Sequence, residues 1–397
     1  MSHFRYSKGY LFKINVLFIC SVLISCDTPN EYDTKQHPNK ELNYIAENNS
    51  ILTPTQALGK KLFFDSNLST PKGQSCASCH IPTNGFGGLN DLPASEGALK
   101  KVFGSRNSPS IAYAAFTPYF QFDSVEQNYF GGLFWDGRVN TLSEQAKFPL
   151  LNHLEMNNSN ISEIISKIKQ QTTYRSYFEN AYGPNILSKT DTAIFTCVTE
   201  AIEEYEETAE VSPFTSKFDY YLKGLVKLDP IEERGLNLFN DKSKGNCAAC
   251  HPSTKDKLSN AVLFTDYTYD NTGAPKNTEH PYYKLSKQQN PLGIKYIDYG
   301  LGAILKKRSE NGKFKVPTLR NIALTAPYFH NGVFKTLKQT VHFYNSRDVE
   351  KFPTPEVLEN INKDEMGNLK LTDDEENAIV AFLNTLTDGY VISKTVN

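Results

Sequence analysis

The sequence predicts a mainly α-helical protein built from two tandem domains of related design. Three observations carry that expectation. Apolar residues recur at helical spacing, while period-two alternation is scarce. Two segments far apart in the chain repeat one another. Each is followed by a Cys-x-x-Cys-His run, CASCH at residues 76–80 and CAACH at residues 247–251.

The repeat is TPTQALGKKLFFD at residues 53–65 and DPIEERGLNLFND at residues 229–241, with Gly, Leu, Phe and Asp at matching offsets. Thr53 and Asp229 are N-cap residue types, and Pro54 and Pro230 suit a first helical turn. Self-similarity of this kind reads as tandem duplication. It divides the chain into residues 51–211 and 212–390, with an acidic helix over 196–210 and a break near Ser212-Pro213. A closing helix is expected over 373–386, from the spacing of Ile379, Phe382, Leu383 and Leu386, and Thr372 and Glu375 form a capping box at its start. Long loops rich in Gly, Asn and Pro cover 82–107 and 266–301.

A Cys-x-x-Cys-His run is the attachment signature of a c-type haem. The two sulfurs bond the porphyrin, and the adjoining imidazole becomes an axial iron ligand. A zinc ribbon would hold its cysteine pairs about 15–20 residues apart, and these are most of a domain apart. A redox dithiol needs no histidine after its second cysteine. The expected fold is therefore two tandem cytochrome c-like haem domains, each a helix, a loop and an attachment run. Cys76, Cys79 and His80 hold one haem; Cys247, Cys250 and His251 hold the other.

The N-terminus reads as an export signal. Arg5, Lys8 and Lys13 precede an apolar stretch over 14–25, too short for the roughly 20 apolar residues that span a bilayer. It ends in Leu23-Ile24-Ser25-Cys26, which resembles a bacterial lipobox, so residues 1–26 are expected to be a lipoprotein signal and Cys26 the lipid anchor. An ordinary cleaved signal is the alternative. Polar residues 27–50 form a tether, and the expected location is the periplasmic side of the bacterial envelope. Of seven cysteines, two lie in the leader and four hold haem. Cys197 remains as a buried, inert thiol, so no disulfide framework is possible. A net charge of −2 argues against nucleic-acid binding.

Six runs, in order, resemble the bacterial di-haem cytochrome c peroxidases and their MauG-like relatives: KLFFDSNLS (61–69), RNSPS (106–110), LFWDGRVNTLSEQAKFPL (133–150), NHLEM (152–156), PTLRNIALTAPYFHNG (317–332) and TDDEENAIVAFLNTL (372–386). The resemblance covers nearly all of residues 53–388 and implies roles for particular side chains. Glu155 matches the acid–base glutamate above the N-terminal haem, Gln145 the amide that orients peroxide, and Pro149 a neighbouring pocket residue. Trp135, the only tryptophan, matches the residue between the two haems. Asn107, Thr325 and Pro327 match the ligands of a calcium ion, through one amide oxygen and two carbonyls.

Two departures from the classical peroxidase matter. No histidine occurs between His80 and His153, so the loop PASEGALKKVFGS (93–105) carries no imidazole to cap the N-terminal iron. The resemblance then implies an open site that needs no prior reduction. Tyr344 stands where the classical enzyme has the methionine ligand of the C-terminal haem, as in MauG; His342 is the rival ligand, and His330 packs nearby. The expected activity is reduction of hydrogen peroxide at the N-terminal haem, with electrons passed through the C-terminal haem from a small redox protein such as cytochrome c or a cupredoxin. A peroxide-dependent protein oxidase acting on a protein substrate is the alternative enzyme, and a non-catalytic di-haem electron carrier the alternative class. A homodimer is the family's common assembly.

Overall fold

The structure, a computed structural model, describes residues 51–89, 92–256 and 259–392. The leader, Cys26 and the 27–50 tether lie outside the described residues. Eleven helices carry the described chain: α1 (Pro54–Phe63), α2 (Cys76–Cys79), α3 (Leu142–Leu151), α4 (Ile161–Gln170), α5 (Thr173–Tyr182), α6 (Asp191–Glu206), α7 (Lys217–Leu222), α8 (Pro230–Asn240), α9 (Leu301–Leu305), α10 (Leu337–Ser346) and α11 (Asp373–Asn384). Two short antiparallel ribbons complete it: β1 (Gln121–Asp123) with β2 (Asn128–Phe130), and β3 (Tyr269–Asp270) with β4 (Phe314–Lys315). Among the described residues no helix is long and apolar enough to cross a membrane.

Both copies of the repeat fold as capped helices. Thr53 and Gln56 close a capping box on α1, Asp229 and Glu232 one on α8, and a proline opens each helix. The repeated glycine is where each helix touches its partner. A Cβ on Gly59 would lie 1.8 Å from the Ala201 carbonyl oxygen of α6, and one on Gly235 would lie 1.9 Å from that of Ala378 in α11. Helix backbone thus meets helix backbone in both places, with Tyr205 and Phe382 one turn on at matching positions. The acidic helix differs from the expected 196–210. Thr190 caps it from the Ala193 N–H, so it runs 191–206, and the chain then turns with the Thr208 hydroxyl donating to the Tyr205 carbonyl. The closing helix starts at Asp373 under its Thr372–Glu375 capping box and ends two residues early, at Asn384.

The apolar cores follow the same plan. One gathers residues from Leu58 to Ile202, centred on α1, α4, α5 and α6, and a second gathers residues from Phe218 to Leu386, centred on α8, α10 and α11. A third, aromatic cluster joins Phe63, Tyr113 and Tyr205 with Leu263 and Tyr267. The long loops carry short turns of helix, and they enclose the two cavities described next.

Candidate functional site

Each attachment run sits at a sharp turn after its repeat helix. Ser75 and Ser78 cap α2 reciprocally, and the His80 N–H returns to the Cys76 carbonyl (2.9 Å). In the second copy the His251 N–H returns to the Cys247 carbonyl (2.9 Å). One turn of backbone therefore places two sulfurs and one imidazole together. The imidazole Nδ1 atoms face backbone carbonyls, His80 that of Phe86 (3.2 Å) and His251 that of Phe264 (2.8 Å). Both phenylalanines take positive φ, which turns their carbonyls toward the rings. A carbonyl can only accept, so Nδ1 carries the proton and Nε2 keeps its lone pair. Burial pushes the His80 pKa down and that of His251 down to about 4, which keeps both rings neutral. A neutral imidazole oriented by a carbonyl is the state a metal requires. None of the four cysteines is in a disulfide, so each sulfur is open to a bond with the porphyrin.

The first cavity encloses about 560 Å³. Cys76, Cys79 and His80 line it, as do Gln145 and Pro149 of α3, Glu155 and Trp135. Glu155 is fixed by the turn that ends α3: its N–H donates to the Asn152 carbonyl (3.0 Å), and the Asn152 amide donates to Glu155 Oε1 (2.9 Å). Burial raises the Glu155 pKa, opposed by the Asn152 hydrogen bond and the Arg138 charge. The loop over 93–105 contributes Ser95, Glu96, Gly97, Gly104 and Ser105 to the wall.

The second cavity, about 170 Å³, is lined by Cys247, Cys250, His251, Tyr344, Met366 and apolar residues of α10 and α11. Burial raises the Tyr344 pKa, so the phenol keeps its proton until a cation draws it off. His342 is not in this cavity. Its Nδ1 meets Glu376 (2.9 Å) and its Nε2 meets Glu350 (3.1 Å). His330 lines the cavity, stacked on Phe314 at 3.6 Å between ring centroids.

Trp135 lines both cavities, its indole N–H donating to the Asn107 carbonyl (2.9 Å). The Asn107 amide in turn meets the Pro327 carbonyl, and Thr325 lines the same wall.

Several site residues escaped sequence reasoning. Arg106 bridges Asp136 (2.6 Å) and Asp298 (2.6 Å); Arg138 pairs with Asp136 (2.8 Å) and lies over the Phe134 ring (3.5 Å). Burial would raise Asp298, but the Arg106 charge outweighs it and holds the carboxyl at about 2. A second signal was present in the sequence: TLSEQAKFP (141–149) and TLKQTVHFY (336–344) share Thr, Leu and Phe at equal spacing. Thr141 and Thr336 cap α3 and α10, so Pro149 and Tyr344 occupy equivalent positions in the two halves.

A family profile described as di-haem cytochrome c peroxidase matches residues 53–227. The methylamine utilization protein MauG of Paracoccus denitrificans is 37% identical over 351 residues, covering 84% of this chain and 88% of its own. The cytochrome c551 peroxidase of Pseudomonas aeruginosa is 34% identical, covering 77% and 75%. The crystal structure of the diheme peroxidase BthA from Burkholderia thailandensis matches with a TM-score of 0.72 at 32% identity, covering 84% and 86%. The chain belongs to the di-haem cytochrome c peroxidase and MauG family. It is an oxidoreductase of the peroxidase type, and membership implies haem as its cofactor. The two neutral, carbonyl-oriented imidazoles, each beside a cysteine pair in a cavity wall, fit that group.

Proposed function

We propose that this chain is a di-haem c-type peroxidase that reduces hydrogen peroxide to water at the N-terminal site. Cys76 and Cys79, and Cys247 and Cys250, would hold haem covalently, and His80, His251 and Tyr344 would ligate its iron. When bound, the iron supplies the electrons' acceptor and donor states and a place for peroxide to bind. The observation that carries the reading is the first cavity: a neutral imidazole stands in one wall, and Glu155 and Gln145 share the same space with no second imidazole among the described residues.

Glu155 takes the proton from one peroxide oxygen and delivers it to the other, so that water leaves. Its raised pKa suits both halves of that transfer. The Asn152 amide holds the carboxylate in one orientation, and the Gln145 amide positions the peroxide. Trp135, in the wall of both cavities, shortens the electron path between them. Asn107, Thr325 and Pro327 would hold a calcium ion beside it. The donor is a small cytochrome c or cupredoxin. The site lies on the periplasmic side of the envelope, tethered by a lipid on Cys26, and the protein assembles as a homodimer.

A second reading, a MauG-like oxidase of a protein substrate, is favoured by Tyr344 in the second cavity. A phenolate ligand favours ferric iron, which makes that haem a poor relay for a cytochrome donor. The deciding experiment is the electronic and paramagnetic-resonance spectrum of ferric holoprotein before and after one equivalent of peroxide. The peroxidase reading expects one open high-spin site that changes at once. Two six-coordinate, unresponsive irons would leave only an electron carrier. A strongly negative potential at the second haem would select the oxidase.

A further inference from the structure

The wall between the two cavities holds one cation, Lys315, with no carboxylate partner among the described residues. Lys315, in β4, lines both cavities. Its backbone N–H donates to the Trp135 carbonyl (2.9 Å), which fixes the strand beside the indole. Its Nζ donates to the Gly132 carbonyl (2.6 Å), and among the described residues no carboxylate lies within ion-pair distance of it. An ammonium has three N–H groups, so two remain for whatever enters the cavities. Asp136 is the carboxylate whose charge acts on it, and both Arg106 and Arg138 already hold that group. Arg106 is thus taken up by Asp136 and Asp298, and Arg138 by Asp136 and the charge of Glu155, which leaves Lys315 with no carboxylate of its own among the described residues. Burial weakens the amine's hold on its proton, bringing its pKa down to about 8, the direction expected of a cation that lacks a counter-ion. The repeat sharpens the point. Ser108-Pro109 and Val316-Pro317 are matching positions, and where this half of the wall has a lysine, the other has neutral Asn107.

We propose that the Lys315 ammonium seats a carboxylate side chain of one of the two haems in the wall between the cavities. This rests on the di-haem reading above. A buried cation without an anion is costly, and a buried carboxylate without a cation is equally so; each supplies what the other lacks. Lys315 is then a positioning residue. It fixes the edge of one macrocycle against Trp135 and, by its charge, favours the reduced form of that haem.

The test uses matured holoprotein of the wild type, Lys315→Met and Lys315→Arg, with haem content read from the mass of the denatured chain. Redox titration is expected to show one of the two potentials lowered in Lys315→Met, disfavouring reduction at least tenfold, about 59 mV for one electron. The haem that moves is the one held. Lys315→Arg keeps the charge and should keep both potentials near wild type. Thermal unfolding adds a sign. Removing a cation that had been unpaired stabilises the holoprotein, while stranding a carboxylate destabilises it, and the latter is expected. Two haems with unmoved potentials and a raised melting temperature in Lys315→Met overturn the assignment. So does a wild-type potential that follows added chloride or formate, since the seat would then belong to a free anion. If Lys315→Met does not accumulate, Lys315→Gln is read in the same way. A wild-type chain carrying fewer than two haems removes the di-haem reading itself.

Discussion

Replacing Glu155 by glutamine isolates the proton transfer from everything else in the first cavity. The Asn152 amide donates to Glu155 Oε1 at 2.9 Å, and a glutamine oxygen at the same place accepts the same bond. Side-chain volume and orientation are kept, and only the exchangeable carboxyl proton is lost. Positioned acid–base groups contribute about 10²–10⁴ in rate, or roughly 2.7–5.4 kcal/mol at 1.36 kcal/mol per decade. A loss of that size is expected in the rate at which peroxide changes the ferric spectrum, measured by stopped flow. The pH profile adds a second signature. Glu155 must be ionised to accept a proton, and burial places its pKa above the ordinary 4.5. The wild-type rate should therefore fall on acidification at a pH above that of a free carboxylate, and this acid limb should vanish in Glu155→Gln. A variant reacting within about threefold of wild type, with the acid limb intact, would refute the assignment, since an effect so small is well below what acid–base groups supply.

Further outcomes follow from the same geometry. Tyr344→Phe should change the spectrum of the C-terminal haem while His342→Ala leaves it unaltered, because only Tyr344 lines that cavity. Glu206 of α6 is buried with Oε2 unpaired, and burial, aided by Glu203 and Glu207, raises its pKa to about 8. In the unfolded chain it titrates near 4.5, so the folded state's stronger hold on this proton helps fully below that pH and is lost as pH rises through 8. Glu206→Gln should thus gain on the wild type by about 3 kcal/mol between pH 4.5 and 7, read as a widening gap in denaturant midpoints. Gly235→Ala drives a methyl to within 1.9 Å of the Ala378 carbonyl oxygen and should cost about 1–3 kcal/mol or more in unfolding free energy. An unchanged midpoint would mean that α8 and α11 are not in backbone contact.

What could be read from the sequence was local. The caps at Thr53, Asp229 and Thr372 are settled by a residue and its third neighbour, and each forms as the residue types require. The attachment runs are legible because the signature fixes two cysteines and a histidine within five adjacent residues. Glu155 and Gln145 were legible only through the family pattern, since NHLEM and SEQAK carry no periodicity of their own, yet the structure brings them into one cavity with His80. The charges between the cavities were not legible. Arg106 pairs with Asp298 across 192 positions, and Lys315 reaches Gly132 across 183, so no window of sequence contains either contact. The acidic helix was misplaced by five residues at its start because Thr190 is one of several polar residues there that could cap it.

The equivalence of α3 and α10 gives this molecule a built-in reference. Its halves share a capped helix, a glycine crossing and an imidazole set by a carbonyl, and along that helix their cavity-lining residues differ, Gln145, Ala146 and Pro149 against Thr340, Val341 and Tyr344. Temperature, ionic strength and preparation act on both equally. Whatever distinguishes the two irons in a single cuvette can therefore be traced to a handful of neighbouring side chains, without a second protein for comparison.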